Sequence, residues 1–79
     1  MSSALTLRHV DAARNMARFY RLDVQPDLFG GWSLVREWGR IGRPGQVRLD
    51  PFPSVDLAEA ALARLRADKV RRGYIAHTV

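Results

Sequence analysis

The eleven residues Arg36-Glu37-Trp38-Gly39-Arg40-Ile41-Gly42-Arg43-Pro44-Gly45-Gln46 hold most of this chain's recognition chemistry. They set one large aromatic among three arginines and three glycines, directly after an apolar run. An indole offers a flat stacking face and loses little entropy when fixed. A guanidinium offers a forked, permanently charged donor that matches phosphate. Glycines beside both let a backbone or a ligand approach closely and permit turns that side chains resist. The combination suits an anion with flat, stackable parts, which describes a nucleic-acid strand or end. The competing reading is a tryptophan anchoring a small core, with solvated arginines on a hairpin.

These residues need elements to aim them. Trp32 to Trp38 alternates as a strand, with Trp32, Leu34, Arg36 and Trp38 on one face and Ser33, Val35 and Glu37 on the other. Arg36 and Trp38 therefore point the same way, the geometry that stacking plus phosphate binding needs. Gly42-Arg43-Pro44-Gly45 turns the chain, and Gln46 to Asp50 returns as a further strand carrying Arg48, with Pro51-Phe52-Pro53 ending it. Ala4 to Val10 reads as a first strand and Met16 to Val24 as a second. Both faces of the second strand are mixed, so alternation leaves its buried side open. Gln25 to Gly31 is a loop, with Leu28 and Phe29 expected to fold back onto the core.

Ser54 is a good N-cap with Asp56 in the first turn, and the helix it starts runs to Arg72. Leu57, Ala58, Ala61, Leu62 and Leu65 form its apolar stripe, which Lys69 and Arg72 continue with their stems on the sheet edge and their charges in solvent. Gly73 is the expected stop, and Tyr74 to Val79 can add a short edge strand or trail. The architecture is α+β: a small antiparallel sheet of four strands, or five with that tail, and one C-terminal helix packed on one face. Residues 1–79 make a single domain with its core between about 5 and 74.

The sequence carries a net charge of +5, from thirteen basic residues against eight acids, and twelve of the thirteen are Arg. Residues 1–48 hold eight Arg and four acids, so most of the excess lies in the strands and the Trp38 hairpin. A small domain with a pI near 11.1 attracts polyanions before any specific contact forms. Arg36, Arg43 and Arg48 flank the hairpin and can track a backbone, or stand solvated on their strands.

Trp38-Gly39-Arg40 resembles the signature tripeptide of the WGR domain, found in poly(ADP-ribose) polymerases and in small bacterial proteins. Asn15 followed by Phe19-Tyr20 resembles the family's early Asn and aromatic strand, and Gly42 with Gly45-Gln46 its following turn. Phe52-Pro53-Ser54 resembles the lead into the family's helix, and Lys69 with Gly73-Tyr74 its closing element. The likeness runs from about Leu5 to Tyr74. In the polymerases the family Trp and Arg sit where the domain meets a DNA break end. The resemblance therefore implies that Trp38 packs on a terminal nucleotide and that Arg40 binds phosphate or bridges to a partner. The polymerase catalytic region has no counterpart in this sequence, so a bridging Arg40 needs a separate partner.

Other chemistries are poorly supplied. His9 and His77 are the only histidines and stand at opposite ends. No closely spaced His/Asp/Glu set suits zinc, and no serine sits in a nucleophile elbow. Gly39-x-x-Gly42-x-x-Gly45 lacks the Lys-Ser/Thr of a phosphate loop. No cofactor, metal or membrane partner is implied, and catalysis is not expected. With no cysteine, no basic-then-apolar leader and no membrane-length apolar run, the expectation is a soluble cytoplasmic protein. The expected function is nucleic-acid binding, to DNA and in particular DNA ends, through Trp38, Arg40, Arg36, Arg43, Gln46, Arg48, Lys69 and Arg72. The alternative is a protein-interaction module that docks a protein partner through the same edge, together with Leu28-Phe29.

Overall fold

Alternation of side chains decides the sheet, and the structure, a computed structural model that describes residues 4–77, shows how. The strands are β1 (Leu5–Asp11), β2 (Met16–Pro26), β3 (Trp32–Arg40), β4 (Gln46–Phe52) and β5 (Ile75–His77), with helix α1 (Val55–Arg71) between the last two. They form one five-stranded sheet in the order β4-β3-β2-β1-β5. Every neighbouring pair is antiparallel. The chain's last strand thus joins the edge beside β1, as the fifth-strand reading allowed.

Register settles the face that alternation left open in β2. Tyr20 lies opposite both Leu7 and Trp38, and Val24 lies opposite Leu34. Leu7, Tyr20, Leu22, Val24 and Leu34 form the buried core with Ala58 and Ala61 of the helix. The β2 pattern looked mixed for two local reasons. Arg18 shares the core face but lies opposite Arg40, clear of the buried residues. Phe19, on the outer face, fills the space beside two glycines: a Cβ on Gly45 would stand 2.9 Å from its ring and one on Gly39 3.5 Å.

Ser54 caps α1, its hydroxyl accepting the Leu57 amide at 3.2 Å, with Asp56 in the first turn. Gly73 ends it at φ 101°, a left-handed conformation that favours glycine. The helix lies across β2, β3 and β4. Its buried residues are the small ones, Ala58 and Ala61, which let it sit close to the sheet, while Leu62 and Leu65 are partly buried at the sides of the contact. Leu57 is not part of the stripe. Next to Ala58 on the helix, it rotates about 100° off the contact and is 51 % exposed.

Leu28 and Phe29 do not fold back onto the core; they are 96 % and 94 % exposed. Asp27 explains it, since its Oδ1 accepts the amides of Phe29 at 2.8 Å and Gly31 at 2.9 Å and closes the turn on itself. The side chains at the tip of that turn project into solvent. β4 also runs through Pro51 rather than stopping at Asp50, which an edge strand tolerates because one side of it makes no ladder bonds. Among the described residues, no helix is long and apolar enough to cross a membrane.

Candidate nucleic-acid interface

The register that buries the core also writes a ladder across the same sheet face. Arg18 lies opposite Arg40; Tyr20 opposite Trp38, which lies opposite Gln46; Leu22 opposite Arg36, which lies opposite Arg48. An aromatic row is thus flanked on both sides by cationic rows. The helix leaves this part of the face uncovered, and it opens as a cleft of about 500 Å³. Lys69, near the helix C-terminus, and Tyr74, just beyond it, border the cleft from the other side. Five cations and no carboxylate stand among its ten lining residues.

The aromatic row is ordered. Tyr20 and Trp38 have nearly parallel rings with centroids 5.7 Å apart and 12° between planes. Tyr74 meets Tyr20 edge-on at 6.5 Å. Lys69 does not reach into solvent as its stripe position suggested. Its Nζ sits 4.5 Å from the Tyr20 ring and 5.9 Å from Tyr74, a cation held against two π faces. Arg36 approaches Trp38 in the same way, at 5.9 Å.

Asp50 organises the cations of β3 and β4. Its two oxygens each lie 2.9 Å from an Nε, one of Arg36 and one of Arg48. The Arg48 contact is a hydrogen bond, whereas the Arg36 Nε–H is misaligned and left unpartnered, so that contact is one of charge alone. The Arg36 side chain is only 16 % exposed and Arg48 65 %, so Arg48 has the freer head. Arg40 turns back to the β1–β2 connection, donating to the backbone oxygen of Asn15 at 3.1 Å and to its Oδ1 at 3.3 Å. Asn15 is in the left-handed region at φ 51°, so Arg40 secures a turn that few side chains adopt. Some of its five N–H donors face away from Asn15.

Of the residues singled out in the sequence, the cleft gathers Trp38, Arg40, Arg36, Arg48 and Lys69. It does not include Arg43, Gln46 or Arg72. Arg43 is exposed in the turn after β3, and Gln46 is exposed opposite Trp38. Arg72 is drawn to Asp68, Nε to Oδ2 at 3.4 Å. Sequence reasoning missed Arg18, Tyr20 and Tyr74 as site residues. Arg18 and Tyr20 share parity, but only the pairing of β2 with β3 places them beside Arg40 and Trp38. Trp38 reconciles both readings of it: half-buried, it packs against the core and lines the cleft.

The hairpin that presents Trp38 closes through glycine. A Cβ on Gly45 would stand 2.4 Å from the Trp38 carbonyl oxygen, and one on Gly39 3.0 Å from the Gly45 Cα. Only two backbones without side chains pass this closely.

A family model of the WGR domain matches residues 3–78. Uncharacterized protein y4dW of Sinorhizobium fredii (strain NBRC 101917 / NGR234) is 40 % identical over 70 residues, which cover 89 % of this chain. The match covers 34 % of that relative, so the chain spans about a third of its length. No solved structure matches the chain.

Proposed function

The chain belongs to the WGR domain family, and on that premise we propose that it is a non-catalytic module that binds DNA at the cleft floored by Tyr20 and Trp38. The observation that carries the reading is the ladder itself, an aromatic row between two cationic rows in a cleft without a carboxylate. Stacking on an aromatic platform is indifferent to base identity because every base has a π face, and phosphates supply the charge the arginines need. A strand end suits the site because its last base has one face free to pack on Trp38. Arg48 and Arg18 then take flanking phosphates, Lys69 contributes from the helix side, and Arg40 uses the donors that Asn15 leaves free. Arg43 and Arg72 lie outside the cleft and act through the field that draws the polyanion in.

Fluorescence anisotropy with blunt, nicked and single-stranded oligonucleotides at two salt concentrations tests this directly. Tighter binding to blunt or nicked duplex, weakening steeply with salt, is the expected result. Absence of binding to every oligonucleotide at low salt would refute it. Salt-insensitive binding to a defined protein through the same residues would point to the docking module instead.

A further inference from the structure

The helix covers one face of the sheet, and the outer face is uncovered. At the end of that face near Asp27, acids stand without basic partners. Among the described residues, ion pairs engage Asp11, Asp50 and Asp68. The other five acids have none: Asp56 and Glu59 on the helix, and Asp23, Asp27 and Glu37, which gather at this end of the sheet. Arg21 lies opposite Glu37 in register and borders the same pit as Asp23, yet it reaches neither carboxylate at ion-pair distance.

Asp23 is the informative residue. It is only 7 % exposed. Its Oδ2 accepts the Gln25 amide at 2.9 Å, but its Oδ1 is buried with no partner among the described residues. A buried carboxylate oxygen with nothing bound to it is costly and calls for a missing donor. The pit that holds it measures about 190 Å³ and is walled by Arg21, Gln25, Val35 and Glu37. Gln25 and Val35 also line an adjoining groove of about 450 Å³, together with Leu28, Phe29 and Leu49. Leu28 and Phe29 stand almost wholly in solvent, and Leu49 is 61 % exposed. Exposed apolar side chains grouped beside a polar pit mark a contact surface rather than scattered surface residues.

We propose that this outer face docks an extended segment of a partner protein in which a lysine or arginine is flanked by apolar side chains. The cation seats at the mouth of the pit against Glu37, with the charge of the buried Asp23 behind it, and its apolar neighbours lie on Val35, Leu49 and the Leu28–Phe29 turn. Charge complementarity selects this occupant, because Asp23 and Glu37 outweigh Arg21 in the pit and Asp27 adds a third carboxylate in the adjoining groove, a balance that repels nucleic acid and favours a cation. The groove and pit together hold a few side chains, which suits a peptide segment rather than the broad face of a second folded copy. The chain would then join DNA on one face to a basic partner on the other, although the docking surface stands on its own observations.

A random heptapeptide phage library panned against the immobilised full chain tests it. Enriched sequences should carry one Lys or Arg between apolar residues. A synthetic peptide of the enriched consensus should lose about tenfold or more in affinity, by calorimetry, to the double variant Asp23→Asn, Glu37→Gln. Leu49→Ser should weaken it as well. Melting temperature should hold or rise in the double variant, because the carboxamide that replaces the Asp23 carboxylate still accepts from Gln25 while the unpartnered charge is gone. DNA affinity should not fall, so failure here and failure of the DNA reading are separable. The proposal is overturned by no enrichment, by enrichment of acidic sequences, or by consensus binding that the double variant leaves unchanged. Sedimentation that shows a dimer at micromolar concentration, dissociated by Leu49→Ser, would overturn it too, assigning the face to a second copy.

Discussion

Trp38 does two jobs with one ring, and its substitutions separate them. It packs against the core and stacks with Tyr20 at 5.7 Å while lining the cleft. Trp38→Ala should lose about 1–3 kcal/mol of DNA affinity, the worth of one base–aromatic contact, with little change in salt dependence. Because the residue is half-buried, Trp38→Phe is the control: it keeps apolar bulk and shrinks the stacking face. If Trp38→Phe stays folded, binds more weakly and loses preference for ends, the ring is a platform. If its melting temperature collapses while the folded fraction binds normally, the ring is only structural. Arg48 contributes differently, since its mostly exposed head meets only Asp50 and such surface pairs are worth about 0–1 kcal/mol. Arg48→Gln should leave the melting temperature nearly unchanged and make the log–log salt slope shallower by about one unit, because one phosphate is no longer neutralised. An unchanged slope would remove Arg48 from the interface.

The elements explain how much could be read from the chain alone. Strand alternation in β3 correctly places Arg36 and Trp38 on one face, and Ser54 and Gly73 mark the helix ends by their own chemistry. What escaped is whatever depends on pairing across strands or on local closure. The buried face of β2 is fixed only by Leu7 on one side and Trp38 and Leu34 on the other, so Arg18 and Tyr20 could not be joined to the site by alternation alone. Leu28 and Phe29 look like core residues by type, but the Asp27 turn directs them outward. Leu57 fits the stripe by spacing, but close packing through Ala58 and Ala61 narrows the contact. The contrast between the core and the exposed side of the helix is measurable: Leu34→Ala in β3 should cost about 2–5 kcal/mol in denaturant unfolding, whereas Leu57→Ala in α1 should stay within about 0.5 kcal/mol. Equal costs would mean the helix lies on a different face. At the hairpin, Gly45→Ala drives a methyl into the Trp38 carbonyl and the Phe19 ring, and should destabilise by about 1–3 kcal/mol. A neutral Gly45→Ala would show that the hairpin closes more loosely than this.

Across the whole molecule the cations are densest in the cleft, and the outer face is mixed, with Arg8 and Arg21 beside its acids. The cleft gathers Arg18, Arg36, Arg40, Arg48 and Lys69, while Asp23, Asp27 and Glu37 stand together toward the opposite side. On the proposed function a polyanion should be drawn most strongly to the cleft, where five cations stand without a carboxylate among the lining residues. Asp50 offsets part of the Arg36 and Arg48 charge, so the cleft should engage roughly three to five phosphates rather than one for every cation nearby. Released counterions then set the log–log salt slope on duplex DNA at about −3 to −4.5, which weakens binding by roughly a hundredfold between 50 and 200 mM salt. The same titration with the Asp23→Asn, Glu37→Gln variant should give a parallel line, because those carboxylates lie on the face opposite the cleft. A slope near zero would mean that the cationic rows do not meet phosphate. A parent slope in range that steepens by a full unit or more in the variant would mean that DNA also crosses the outer face, and that the charge is not divided between two partners.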